Sequence, residues 1–122
     1  MKNLTENPVA VKSFSLAVRV VRLYQHLRRQ FDEPVLFRQL LRSGTSVGAN
    51  VEEGLGGQST ADFLSKLRIA RKEARETNYW LRLLHATDYL DEAGFTSVHQ
   101  DTEEVQRLLT SIIVTTERNS KK

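Results

Sequence analysis

Cysteine is absent from this chain, which removes disulfide bridges, thiolate metal sites and cysteine nucleophiles together. Proline is nearly absent. Only Pro8 and Pro34 occur, each ahead of an apolar-periodic run, where a missing N–H is no loss in the first turn of a helix. Glycine is confined to residues 44–57, with Gly94 the exception. No apolar run reaches the roughly 18 residues that a membrane helix needs. The opening MKNLTENPVAVKSFSLAV is too polar and too interrupted for a signal peptide. A cytoplasmic protein with no membrane partner is the expectation. Strand-type alternation never lasts more than a few residues, so the sheet classes have no support.

What remains is helical periodicity. The spacing predicts four helices, at about 9–30, 34–53, 60–88 and 98–118, within one domain spanning residues 1–122. Ser59 with Asp62 and Ser97 with Gln100 have the form of capping boxes. GLGGQ at 54–58 reads as a helix stop and turn. DEAGFT at 91–96 reads as a second connection, with Gly94 free to take positive φ. Short links favour antiparallel neighbours, so the fold class is all-α, an up-down-up-down antiparallel four-helix bundle.

The third helix has the cleanest seam, with Phe63, Leu67, Ala70, Ala74, Thr77, Leu81 and Leu84 spaced by fours and threes. The last helix repeats it through Val98, Val105, Leu108, Leu109, Ile112 and Ile113. The first helix differs. Leu16, Val20, Leu23 and Leu27 share one line, but Phe14, Ala17, Val18, Val21 and Tyr24 widen the apolar arc past half the circumference. One bundle seam needs little more than about 100°. The surplus points to packing against another copy of the chain.

The run RSGTSVGANVEEG, from Arg42 to Gly54, is the one stretch that invites a catalytic reading. A phosphate-cradling loop would need a preceding strand and a Lys-Ser/Thr ending, and neither is present. Serine hydrolysis needs a base and an orienting acid; His26, His85 and His99 have no acid spacing that suggests it. A bundle di-iron site needs Glu-x-x-His on two helices, and the sequence contains no such pair. Read as helix, the run places Phe37, Leu40, Leu41, Gly44, Val47, Gly48 and Val51 on one face. Two interior glycines cost about 1 kcal/mol each relative to alanine, which close approach of a neighbouring helix would offset. A hairpin pivoting near Gly56 sets Gly48 near Phe63 or Leu64 and Gly44 near Leu67, so the glycines read as sockets for the third helix. Ser46, Asn50 and Glu53 form a polar line beside that face, expected to be a structural hydrogen-bond seam. No catalytic residue, metal or cofactor is expected.

RSGTSVGANVEEG followed by DFLSKLRIARKEARETNYWLRLL resembles the small four-helix-bundle family encoded in intervening sequences of bacterial 23S rRNA genes. Arg42, Ser43, Ser46, Asn50, Glu53, Gly54, Phe63, Ile69, Ala70, Glu73, Glu76, Tyr79 and Trp80 carry the match. The resemblance implies a homopentameric barrel with no attached enzymatic activity. A more distant similarity, to the accessory protein of diversity-generating retroelements, implies a basic barrel that binds nucleic acid and a reverse transcriptase.

Residues 1–50 hold eight Lys and Arg against three Asp and Glu, a balance that suits an anionic partner. Lys12, Arg19, Arg22, His26 and Arg29 fall within about 100° of arc on the first helix, and Arg38 and Arg42 extend the set onto the second. Repeated round a ring, such a stripe would contact RNA or DNA phosphates with avidity and little sequence preference. Arg68, Arg71, Lys72 and Arg75 are interleaved with Glu73 and Glu76 and read as a salt-bridged surface. The function expected from the sequence is a non-enzymatic homo-oligomeric scaffold that binds nucleic acid. The alternative is a protein–protein adaptor with no nucleic-acid role.

Overall fold

The computed structural model describes residues 7–121. Each helix starts where a side chain satisfies orphan amides. The Asn7 side-chain oxygen accepts from Val9 and Ala10 N–H at 3.0 and 3.4 Å, opening α1 (Pro8–Gln30). Glu33 accepts from Val35 and Leu36 at 2.6 and 2.8 Å and opens α2 (Pro34–Leu55). Ser59 Oγ accepts from Asp62 N–H at 3.1 Å at the head of α3 (Thr60–Ala86), where the Ser59 pattern predicts a start.

The fourth helix departs from expectation. α4 (Glu92–Ser120) begins at Glu92 rather than near Val98, because Asp91 caps it by accepting from Gly94 N–H at 2.8 Å. Gly94 therefore sits inside the first turn with negative φ, and Ser97 is a helix-interior residue, not a cap. The chain turns instead at Asp88, whose φ is 71°, a left-handed conformation that Asp tolerates better than most residues. Just beyond it, Tyr89 and Leu90 N–H both reach the Leu84 carbonyl, at 2.9 and 3.2 Å, closing the end of α3.

The links, residues 31–33, 56–59 and 87–91, are too short for anything but reversal between neighbours. Each helix packs on its chain neighbours and α1 closes against α4, with no close approach of diagonal backbones among the described residues. This is the up-down-up-down bundle, and its α1–α4 seam is the thinnest. Leu16, Val20, Leu27, Phe37, Leu40, Leu67, Leu81, Leu84, Leu109 and Ile113 are fully buried between the helices. Phe31, Phe37 and Tyr89 close one end as edge-to-face rings 5.0–6.4 Å apart.

The glycine sockets face the other way from the sequence reading. A Cβ built on Gly44 would lie 2.7 and 2.8 Å from the two methyls of Val20, and one on Gly48 would lie 3.2 Å from the Ser13 carbonyl oxygen. Both glycines thus receive α1, not α3. The rotation of α2 explains the error, because Ser43 faces Thr77 of α3 and Gly44, about 100° further round, is turned to α1; the register is shifted as well, since Ser43 would otherwise stand near Ile69. The Gly56–Ser59 link moves the pivot towards α3. A third glycine, Gly54, is the socket for α3, since a Cβ there would meet Leu67 Cδ1 at 2.8 Å.

Candidate nucleic-acid interface

The basic stripe of α1 splits in two. Lys12 and Arg19 turn towards α4, where Lys12 pairs with Glu104 at 3.0 Å and Arg19 pairs with Asp101. Arg19 also donates to the Ser97 hydroxyl at 2.6 Å and to its carbonyl at 3.3 Å. These contacts bridge the thin α1–α4 seam, so reversing Arg19 perturbs packing as well as surface charge. Arg22 and Arg29 lie exposed on the outward face of α1, and Arg38 lies exposed on α2. None of these three is in an ion pair among the described residues. Arg42 crosses to α3, pairing with Glu73 at 3.2 Å and with Glu76. Trp80 Nε1 donates to the same Glu76 carboxylate at 3.2 Å. Three of the six candidate cations are therefore neutralised within the chain, and the six do not form one surface.

The polar line of α2 is only partly a seam. Asn50 Nδ2 donates to the Ser46 carbonyl at 2.8 Å, whereas Glu53 is exposed and faces Lys66 across 3.5 Å. The buried polar contact lies one face over, where the Thr77 hydroxyl sits 3.0 Å from Ser43 Oγ and 2.8 Å from the Glu73 carbonyl. Ser43 lies on the α3-facing side of the helix, a position the sequence reading left without a partner. Among the described residues no buried side-chain donor or acceptor lacks a partner, and no cluster of His, Asp or Glu is placed to hold a metal.

The sequence reads the cations of α3 as a surface salt-bridged to Glu73 and Glu76, and the structure pairs those carboxylates elsewhere. Arg42 draws Glu73 and Glu76 towards α2, which leaves Arg71, Lys72, Arg75 and Arg82 without a carboxylate partner among the described residues. Only Arg68 is bridged, to Glu117 at 2.6 Å, and its guanidinium holds that carboxyl below the ordinary glutamate range. At 100° per residue, Arg68, Arg71, Lys72, Arg75, Tyr79 and Arg82 share about 100° of arc. Their i, i+3, i+4, i+7 spacing was the available signal. A groove of about 510 Å³ runs beside them, walled on α4 by Gln106 and Thr110. Tyr79 is 48% exposed, with the Arg82 guanidinium 5.9 Å from its ring centre.

Two further surface features stand out. The outward face of α1 carries Val11, Phe14 and Val18 in a row, with Phe14 63% exposed. A shallow groove of about 420 Å³ lies along Phe14, Ala17, Val18, Val21, Arg22 and Gln25. Between α3 and α4, Phe95 is stacked between His85 and His99, at 4.2 and 4.7 Å. His85 meets Glu92 at 3.0 Å, and His99 meets Asn78 at 3.0 Å and Glu103 at 3.6 Å. These two histidines are half-buried packing groups, and His85 stands in the last turn of α3. No described helix is long and apolar enough to cross a membrane.

Comparison with known proteins bears on most of the chain. A family model described as 23S rRNA-intervening sequence protein matches residues 5–111. A solved structure at 1.70 Å resolution, of a protein with unknown function from the S23 ribosomal protein family of Bacteroides thetaiotaomicron VPI-5482, is 50% identical in sequence. The superposition covers 86% of this chain and 97% of that one, with a TM-score of 0.84. No curated protein matches the sequence.

Proposed function

The chain belongs to the 23S rRNA-intervening sequence protein family, and from that premise we propose a non-enzymatic, self-assembling scaffold that binds nucleic acid through phosphate contacts. The observation that carries the reading is the outward face of α1, which packs on nothing within the bundle. Its first half is apolar, with Val11, Phe14 and Val18, and its second half is basic, with Arg22 and Arg29. A row of exposed apolar side chains flanked by cations fits a second copy of the chain docked beside a polyanion. A closed ring, of five copies by resemblance, would repeat every unpaired cation around its rim and gain avidity without new contacts.

The chain has a formal net charge of +3, and the ion pairs of α1 and α2 consume acidic groups that would otherwise offset the exposed arginines. Phosphate binding of this kind weakens linearly in log–log terms as salt rises, with a slope set by the phosphates neutralised. The test is retention of mixed-sequence RNA and duplex DNA between about 50 and 200 mM salt. Binding that falls steeply over this range, for every sequence, supports the reading. No binding at the lower salt refutes it and transfers the apolar face to a different protein partner.

A further inference from the structure

We infer that the exposed stripe of α3, made of Arg68, Arg71, Lys72, Arg75, Tyr79 and Arg82, is a binding track for single-stranded nucleic acid. The inference rests on the nucleic-acid reading above and names its site, which is not the stripe of α1.

The first argument is electrostatic. Arg68–Lys72 and Arg71–Arg75 are like-charge pairs at i, i+4, and Arg68–Arg71 and Lys72–Arg75 repeat them at i, i+3. Such pairs destabilise a helix. Among the described residues only Arg68 of these cations is in a direct ion pair, with Glu117, whose carboxylate also feels Arg71 more weakly. Glu73 and Glu76, the glutamates interleaved with these cations, are turned to the α2 flank, where Arg42 holds both and Trp80 holds Glu76. A helix that concentrates repulsion on one face while exporting its carboxylates to another is shaped for an anionic ligand.

The second argument is the shape of the track. The six side chains span positions 68 to 82, about 21 Å of helix at 1.5 Å per residue. The groove wall on α4 is polar and uncharged at Gln106 and Thr110, which can hydrogen-bond sugar or phosphate oxygens, with the Glu117 carboxylate confined to the Arg68 end. A strand of nucleic acid fits a long basic groove with a polar wall better than a compact anion does.

The third argument selects the strandedness. Tyr79 stands in line with the cations, half exposed, its ring braced edge-to-face by Trp80 at 5.0 Å and attended by Arg82. An aromatic ring set among cations takes an unstacked base, and a duplex has none to offer. The cations hold the backbone and Tyr79 holds a base.

Fluorescence anisotropy with a labelled mixed-sequence single-stranded RNA 20-mer, and with the matching duplex, tests this. Arg71→Glu with Arg75→Glu should weaken binding at least tenfold and flatten the salt slope by about two phosphates' worth. Arg71→Gln with Arg75→Gln, should the reversal fail to fold by circular dichroism, should give a smaller loss in the same direction. Tyr79→Ala should lower affinity about fivefold or more for the single strand, with the salt slope unchanged and duplex affinity little altered. Should Arg22→Glu with Arg29→Glu abolish binding while the α3 variants retain it, this site is wrong and the general nucleic-acid reading survives. Should the parent bind no RNA at about 50 mM salt, both fail. Equal competition by polyglutamate at matched charge also overturns the proposal, because it removes any role for the base.

Discussion

Adding one methyl group at Gly44 asks whether α1 and α2 are held together by a missing side chain. In an open helix interior, Gly→Ala gains about 1 kcal/mol. Here the new Cβ would lie 2.7 and 2.8 Å from the Val20 methyls and 3.0 Å from its Cβ. Val20 is fully buried and β-branched, so it has few alternative rotamers. The helices must move apart, and overpacking of this kind costs about 1–3 kcal/mol. Gly44→Ala should therefore be neutral to destabilising by about 2 kcal/mol, a net of those two terms. At roughly 4 °C per kcal/mol for a domain of this size, Tm should fall by up to about 8 °C. Gly44→Leu should fall further. The decisive arm is Val20→Ala, which clears the space. In that background Gly44→Ala should raise Tm, and the cycle should show favourable coupling of about 0.5–3 kcal/mol. Thermal melts of the four proteins measure it. A rise in Tm for Gly44→Ala alone, or additivity with Val20→Ala, refutes the close approach. Phe63→Ala should give no such rescue, because Phe63 is not in the socket.

Thr77→Val removes the hydroxyl 3.0 Å from Ser43 Oγ, which keeps its own bond to the Leu40 carbonyl at 3.3 Å, and should cost about 0.5–1.5 kcal/mol in denaturant melts. Adding Ser43→Ala should cost less than the sum of the single changes, since the Thr77–Ser43 contact is lost only once. At Asp88, held at φ 71°, valine should destabilise by about 1–2 kcal/mol, while glycine should be tolerated; matching melts for the two would remove the turn argument. Glu117 titrates low because Arg68 donates to it, so its contribution to stability is complete above the ordinary glutamate pKa and is lost as pH falls through the lowered folded value. Arg68→Gln should raise the Glu117 carboxyl titration, followed by NMR, towards the ordinary range, with Lys121 and Arg71 still holding it down in part; an unmoved titration would show that Arg68 is not its main cause.

Local signals placed the helices well. The seams through Leu67, Ala70, Ala74, Leu81 and Leu84, and through Val105, Leu109 and Ile113, are buried as their spacing requires. The failures come where two local rules compete. At the start of α4, Gly94 suggested a turn and Ser97 a cap, but Asp91 supplies a cap six positions earlier and three apolar-poor residues follow it into helix. The glycine run announced close packing without saying to which neighbour, because a helix face carries no label for its partner. Small residues at 44 and 48 suit either flank, and the turn of α2 that sets Ser43 against Thr77 decides between them.

Charge was the least legible level. Whether an arginine is free depends on which carboxylates the fold brings near, and these lie 82 positions away for Arg19 and 31 for Arg42. The first helix lost Lys12 and Arg19 of its apparent stripe to α4 in this way, and the third gained one when Glu73 and Glu76 turned to α2. The excess apolar arc of α1 was readable, by contrast, since it needs only the sequence and an angle. Its consequence on the surface, the exposed row from Val11 to Val18, lies where the periodicity puts it.

Self-assembly through that row is the claim on which the scaffold reading stands, and mass in solution tests it most directly. Size-exclusion chromatography with light scattering should give a particle several times the 14.0 kDa of one chain, unchanged over micromolar dilution. Phe14→Asp with Val18→Asp places charges in that apolar face, and should return the mass to a single chain while circular dichroism stays helical. A parent protein that runs as a 14.0 kDa monomer throughout, or a double variant that keeps the full assembly, would contradict it.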